Sequence, residues 1–255
     1  MNPARLKFYT DKILPLEKIL LQSSIAKYFS GQQLTMNNAK MTGLEIQPKR
    51  YTALEVAHLF MIPDGASIQD YVIRKRTSDG APPGLYLQYE HAFVDPLHTN
   101  CVGTYTINSG KGLHVSGIQV DHVFWDEKLA PARLSTVAVG LMMVAAYKND
   151  YDRVTLLAGG GAAQFAAEWS IPDMIGYFVW PKFGFDAPVE PSELVGNPQL
   201  ANCTSVQEVI TLDSAWWKNT GGNGRVMEFD LNHDRPAWTT LLDYMFDVHR
   251  RGELL

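Results

Sequence analysis

GIQVDHVFW (117–125), ARLSTVAVGLMMVAAY (132–147), RVTLLAGG (153–160) and MIGYFVWPKFGFDAPV (174–189) follow one another in a single stretch. The first reads as a strand and the second as a helix that is apolar on nearly every side, as expected when a helix is packed on a sheet. The third, β-branched and short, reads as a buried strand over Val154–Leu157. A strand that feeds a helix, with a second strand returning beside the first, leaves the helix N-terminus facing a crevice. Unpaired backbone N–H groups and the positive dipole end make that crevice suitable for a pyrophosphate.

Upstream, LYLQYEHAFV (85–94), VGTYTI (102–107) and LHVSGIQVDHVFW (113–125) alternate like strands, with a hairpin signal at Ser109–Gly112. Leu113, Val115, Gln119, Asp121 and Val123 fall on one face of the last strand. His114, Ser116, Ile118, Val120, His122 and Phe124 fall on the other, unless a bulge at Gly117 intervenes. Apolar residues from about Asp11 to Phe29 recur at helical spacing, with Pro15 placed to occupy a first turn. Gln32–Lys49 is polar and reads as a loop. Thr52–Met61 reads as a short helix opened by the capping box Thr52-x-x-Glu55, with His58 on its apolar face as a core histidine. Downstream come a loop at EPSELVGNPQ (190–199), a short strand near Val209–Leu212, a turn at Gly221–Gly224 and a strand over 225–231. Pro236 opens a final amphipathic helix that Gly252 closes.

Composition narrows the function classes. The 255 residues are 46% apolar and 11% aromatic, enough for a full core. A net charge of −5 without a basic block argues against nucleic-acid binding. Charged residues among the first eighteen predict no signal peptide, and no apolar run is long enough to span a bilayer. A cytoplasmic protein without a membrane span is therefore expected. Cys101 and Cys203 are distant in sequence and belong to no metal-binding spacing, so two idle thiols and no metal are expected. Gly159-Gly160-Gly161 lacks the Gly-Lys-Ser/Thr of a phosphate loop. It reads as a loop or bulge after the strand, with direct ligand contact as the other possibility.

Arg133-Leu-Ser-Thr136-Val-Ala138 resembles the acyl-CoA motif Gln/Arg-x-x-Gly-x-Gly/Ala of the GNAT (N-acyltransferase) superfamily, with Thr136 in place of the first glycine. GYFVWPKFGFD (176–186) resembles that family's Tyr-x-x-x-Gly-Phe signature, with Gly184-Phe185 intact and Trp180 at the tyrosine position. Trp216, Phe229-Asp230-Leu231 and Trp238 are similar to a divergent bacterial branch. The resemblance covers roughly residues 85–250. It implies an α/β (α+β) fold whose central, mixed, mostly antiparallel sheet is splayed at the acyl-donor site and flanked by helices. Residues 81–255 would form that domain and 1–80 a mainly helical N-terminal extension packed on it.

The same resemblance implies acetyl-CoA or a longer acyl-CoA as co-substrate. Arg133, Leu134, Ser135, Thr136, Val137 and Ala138 would cradle its pyrophosphate, and Val123 and Phe124 would hold the acyl carbonyl. The acceptor would be an amine of a peptide, a protein or a small molecule. Asp121 and His122 lie where the family's bases are found; ordinary polarity at a strand end explains them equally. An imidazole titrates near 6.5, so a neutral His122 can take a proton at neutral pH. Trp180 cannot supply a proton to the leaving thiolate. Tyr177, one helical turn earlier, either substitutes for it or packs. Loss of the motif glycine and the tyrosine supports a second reading, a catalytically inactive GNAT-like binding or peptide-recognition module. An unrelated α/β enzyme is a third.

Overall fold

The chain is mixed α/β, with an eight-stranded, mostly antiparallel sheet flanked by helices and a separate two-stranded hairpin. The computed structural model describes residues 1–46, 49–74, 81–94, 98–108, 114–165 and 174–254. Two compact units divide the chain: residues 1–154, 231–233 and 245–255 form one, and residues 155–230 and 234–244 form the other. Positions either side of residue 80 thus belong to the same unit.

The first unit begins with α1 (Pro3–Phe8), which Asn2 caps by accepting the Arg5 N–H at 2.9 Å. A wide π-helical turn (Tyr9–Ile13) joins α1 to α2 (Leu14–Gln22). The sequence reading placed one helix from about Asp11 to Phe29. The helical run instead starts at Pro3 and passes through Pro15, and the wide turn just ahead relieves the missing N–H and the crowded carbonyl. The stretch read as a loop carries two small hairpins: β1 (Thr35–Met36) with β2 (Ala39–Lys40), and β3 (Gly43–Ile46) with β4 (Lys49–Thr52). Asn37 and Asn38 both have positive φ, 52° and 62°, which a two-residue turn of this twist requires. The Thr52–Glu55 capping box then opens α3 (Ala53–Leu59), as expected.

β5 (Ser67–Arg74), β6 (Gly84–Glu90), β7 (Asn100–Asn108) and β8 (His114–His122) pair antiparallel in sequence order. The hairpin signal at Ser109–Gly112 lies outside the described residues. Gly117 sits in regular register opposite Tyr105, whose ring passes where a Cβ would stand, 2.3 Å from that position. The expected bulge is therefore absent from Gly117 and falls instead at Asp121.

α4 (Leu134–Lys148) is buried without interruption from Thr136 to Tyr147, in agreement with its uniformly apolar sequence. At Gly140 a Cβ would lie 2.8 Å from Leu20 and 3.1 Å from Met245, so the missing side chain lets both press against α4. Arg5, also buried, closes the far end. Its guanidinium donates to the carbonyls of Tyr147 (3.1 and 2.9 Å) and Tyr151 (2.8 Å) and lies 4.1 Å over the Tyr147 ring. It thereby satisfies acceptors that a helix C-terminus leaves open.

The second unit holds most of β9 (Arg153–Gly161), then α5 (Gly176–Val179), α6 (Val206–Trp216), β10 (Asn223–Asp230) and the start of α7 (Pro236–Arg250). The triglycine is part of β9 and not a loop after it. Gly160 takes φ 94° and bridges Ile175, and a Cβ there would fall 1.8 Å from the Met174 carbonyl. The expected strand near Val209–Leu212 is helical, inside α6. Ser205 caps that helix by accepting the Glu208 N–H, and Val206 and Val209 form its buried stripe. The core is aromatic: Phe185, Phe229 and Trp238 stack edge-on, with centroids 5.7 and 5.2 Å apart.

Candidate functional site

The sequence-predicted residues of the first unit gather at the end of β8 and the connection to α4. Val120 faces Val102 and His122 faces Cys101, so Asp121 is the extra residue of a bulge. Neighbouring side chains on a regular strand point to opposite faces. The bulge removes that constraint, and the Asp121 carboxylate approaches His122 Nδ1 to 3.2 Å. The Asp121 side chain is 7% exposed and that of His122 53%. A shielded carboxylate thus stands beside an imidazole that is open to solvent.

Beyond His122 the chain leaves β7. The Phe124 N–H donates to the side-chain oxygen of Asn100 at 2.7 Å, Trp125 bridges Val94, and the Asp126 N–H bonds Phe93. Asn100 is wholly buried, and its amide N–H₂ donates to the Tyr89 hydroxyl. It fixes where the strand ends, a role the sequence reading missed because a lone Asn at a strand start has no distinguishing pattern. Phe124 stacks on His98 at 4.3 Å and lies 6.1 Å from His122, so its ring forms one side of the same corner. Val123 is half-buried beside it.

At the start of α4, Arg133 is left-handed (φ 66°) and no side chain caps the helix. Leu134 N–H bonds Pro131 and Val137 N–H bonds Arg133. Ser135 and Thr136 are the first-turn positions whose N–H groups have no acceptor within the helix. Ser135 is exposed, whereas Leu134, Thr136, Val137 and Ala138 are buried. Thr136, standing where the motif has glycine, is buried, and Ser135 is the residue of this first turn that reaches the surface. Arg133 pairs with Glu253, which Arg251 also contacts at 2.6 Å, so two guanidiniums share one carboxylate near this helix start.

Tyr177 belongs to the second unit. Its hydroxyl donates to the Lys218 carbonyl at 2.7 Å, its carbonyl accepts from Trp217 Nε1 at 3.0 Å, and burial pushes its pKa up. Trp180 packs edge-on against Phe185, 5.3 Å between centroids. Gly184 has φ 91°, and a Cβ there would sit 2.3 Å from the Ala237 carbonyl, while Phe185 is fully buried. The Gly-Phe pair therefore has a packing role in this chain.

Among the described residues no group of three or more His, Cys, Asp or Glu side chains is placed to hold a metal ion. No helix among them is long and apolar enough to cross a membrane. Cys101 and Cys203 are buried free thiols. No protein-family model matches the chain, and comparison with curated proteins and with solved structures likewise finds no match.

Proposed function

We propose that the chain is an N-acyltransferase that moves an acyl group from acyl-CoA, or from a carrier-bound thioester, to an amine of a peptide, protein or small molecule. The observation that carries this reading is the connection from β8 to α4. A bulged strand end presents an Asp–His pair, and the helix that follows opens without a side-chain cap. The exposed first turn at Ser135 and the two guanidiniums at Glu253 suit a pyrophosphate. In this reading Ser135, the exposed residue of the first turn, meets the pyrophosphate, while Thr136 and Ala138 back it from the buried side.

In this reading the acceptor nitrogen attacks the thioester carbonyl as His122 takes its proton, with Asp121 holding the ring and stabilising the imidazolium. The carbon–sulfur bond breaks and the thiolate leaves without a dedicated acid, since the Tyr177 hydroxyl is already committed to a backbone carbonyl. That commitment, with Trp180 at the tyrosine position, favours the inactive binding module as the second reading.

A thermal-shift series with CoA, acetyl-CoA and longer acyl-CoAs separates the two. A donor at a hundredfold excess over its dissociation constant contributes about 2.7 kcal/mol, a readily visible rise in melting temperature. Ser135→Glu should abolish the rise while leaving the unliganded melting temperature in place, because a carboxylate suits a helix N-terminus but repels a pyrophosphate. His122→Ala should keep the rise and lower the acylation rate by about 10²–10⁴-fold. No rise with any donor would leave only the binding module or a carrier-bound donor.

A further inference from the structure

A cavity of about 910 Å³ opens within the second unit, and its lining shares no residue with the β8–α4 connection. One wall is the face of α6 that carries Gln207, Glu208, Thr211 and Leu212; the start of α7 and the segment 184–188 supply the others. Four carboxylates line it, from Asp186, Glu208, Glu228 and Asp230, and Arg235 is the one basic side chain among the described lining residues.

These carboxylates are placed by backbone geometry. Asp186 and Glu228 exchange both main-chain hydrogen bonds at 2.9 Å, so their side chains leave on the same face, a pairing unfavourable for like charges. Asp230, two residues along β10, shares that face with Glu228. Arg235 lies 3.0 Å from Asp230. Asp186 accepts from the Ala187 and Gln207 N–H groups (2.8 and 3.0 Å), and Glu208 accepts from the Thr204 N–H and hydroxyl (2.6 and 3.0 Å). The hydrogen bonds from Thr204 hold the Glu208 carboxyl below the usual carboxylate range. Gln207 ties the wall down by donating to the carbonyls of Pro181 (2.6 Å) and Phe185 (2.7 Å).

Two features decide the class of occupant. No three of the acids converge on one point as metal ligands must, so their charge is spread across the cavity. Between them run apolar surfaces from Ala187, Pro236 and Leu212, the last 63% exposed although it is a large apolar side chain. Spread negative charge joined by aliphatic surface matches spread positive charge joined by methylenes. We infer that this cavity binds an aliphatic oligoamine, with ammonium groups at the carboxylates and methylene segments along Leu212 and Ala187.

Calorimetric titration of the full chain with spermidine, without any acyl donor, tests the inference independently of the acyltransferase reading. Saturable one-to-one binding that weakens with added salt is expected. Glu228→Gln should weaken it about tenfold or more. Asp11→Asn, at an exposed acid remote in sequence, should leave it unchanged. Glu228→Gln should also unfold in a single cooperative transition, which shows that the variant still folds. Absence of saturable binding at millimolar spermidine, unchanged affinity in Glu228→Gln, or equal competition by magnesium ions would each overturn the inference.

Discussion

The two units hold themselves together by different means. In the first, an aliphatic helix is buried all round, and long-range polar contacts finish its ends: Arg5 on the carbonyls of Tyr147 and Tyr151, and Arg133 on Glu253. In the second, interlocked rings do the packing, from Phe185 through Phe229 to Trp238. The contrast teaches where reactive groups find room. Asp121 and His122 stand where a regular ladder gives out, whereas the acidic cavity lies against β10, a face of α6 and the start of α7.

The largest test of this contrast is Phe229→Ala. Removing the ring between two edge-on partners should cost about 3–5 kcal/mol in denaturant unfolding, with lost hydrogen-exchange protection across β10 and α6. A loss below about 1 kcal/mol would mean that the rings are not what holds the second unit.

Acid should act on the first unit through His58. Burial lowers its pKa to about 4, so the folded state keeps the ring neutral while the unfolded chain protonates near 6.5. Stability is then full above about pH 6.5 and falls as the pH drops towards 4, by up to about 3 kcal/mol. His58→Gln should flatten that slope; an unchanged pH profile in the variant would assign the acid sensitivity elsewhere.

Arg5→Ala should cost about 2–3 kcal/mol, since it removes the guanidinium bonds to the Tyr147 and Tyr151 carbonyls and the contact with the Tyr147 ring. Arg5→Lys should recover only part of this loss, because one ammonium cannot reproduce the fork and the ring contact. The smallest effect belongs to the α3 cap. Thr52→Ala should cost about 1 kcal/mol, read in the same unfolding experiment, and Thr52→Ser should restore it.

These sites also show how far the residues themselves could be read. The Thr52–Glu55 cap, the all-apolar α4 and the strands around 85–90 and 102–107 were legible because each is a local pattern. The β1–β2 hairpin was legible in principle through Asn37-Asn38, a pair suited to consecutive positive φ. α6 was misread because Val209, Ile210 and Thr211 are β-branched, although Ser205 and Glu208 mark a helix start. The expected separation of Asp121 and His122 onto opposite faces followed from period two. Their approach to 3.2 Å depends on a bulge that no glycine announces. Asn100 and Arg5 were invisible for a simpler reason: their partners lie far along the chain.

The bulge at Asp121 has a consequence for how this segment can change over generations. Replacing either side chain alters chemistry one atom group at a time, and selection can sample such steps gradually. Deleting a single codon there restores an uninterrupted ladder with His122 still opposite Cys101, and at once either removes Asp121 or turns it to the opposite face. The pairing of acid and imidazole is therefore stored as a residue count as much as in the identity of the residues, and reading-frame-preserving deletions should be far rarer at this strand end than substitutions.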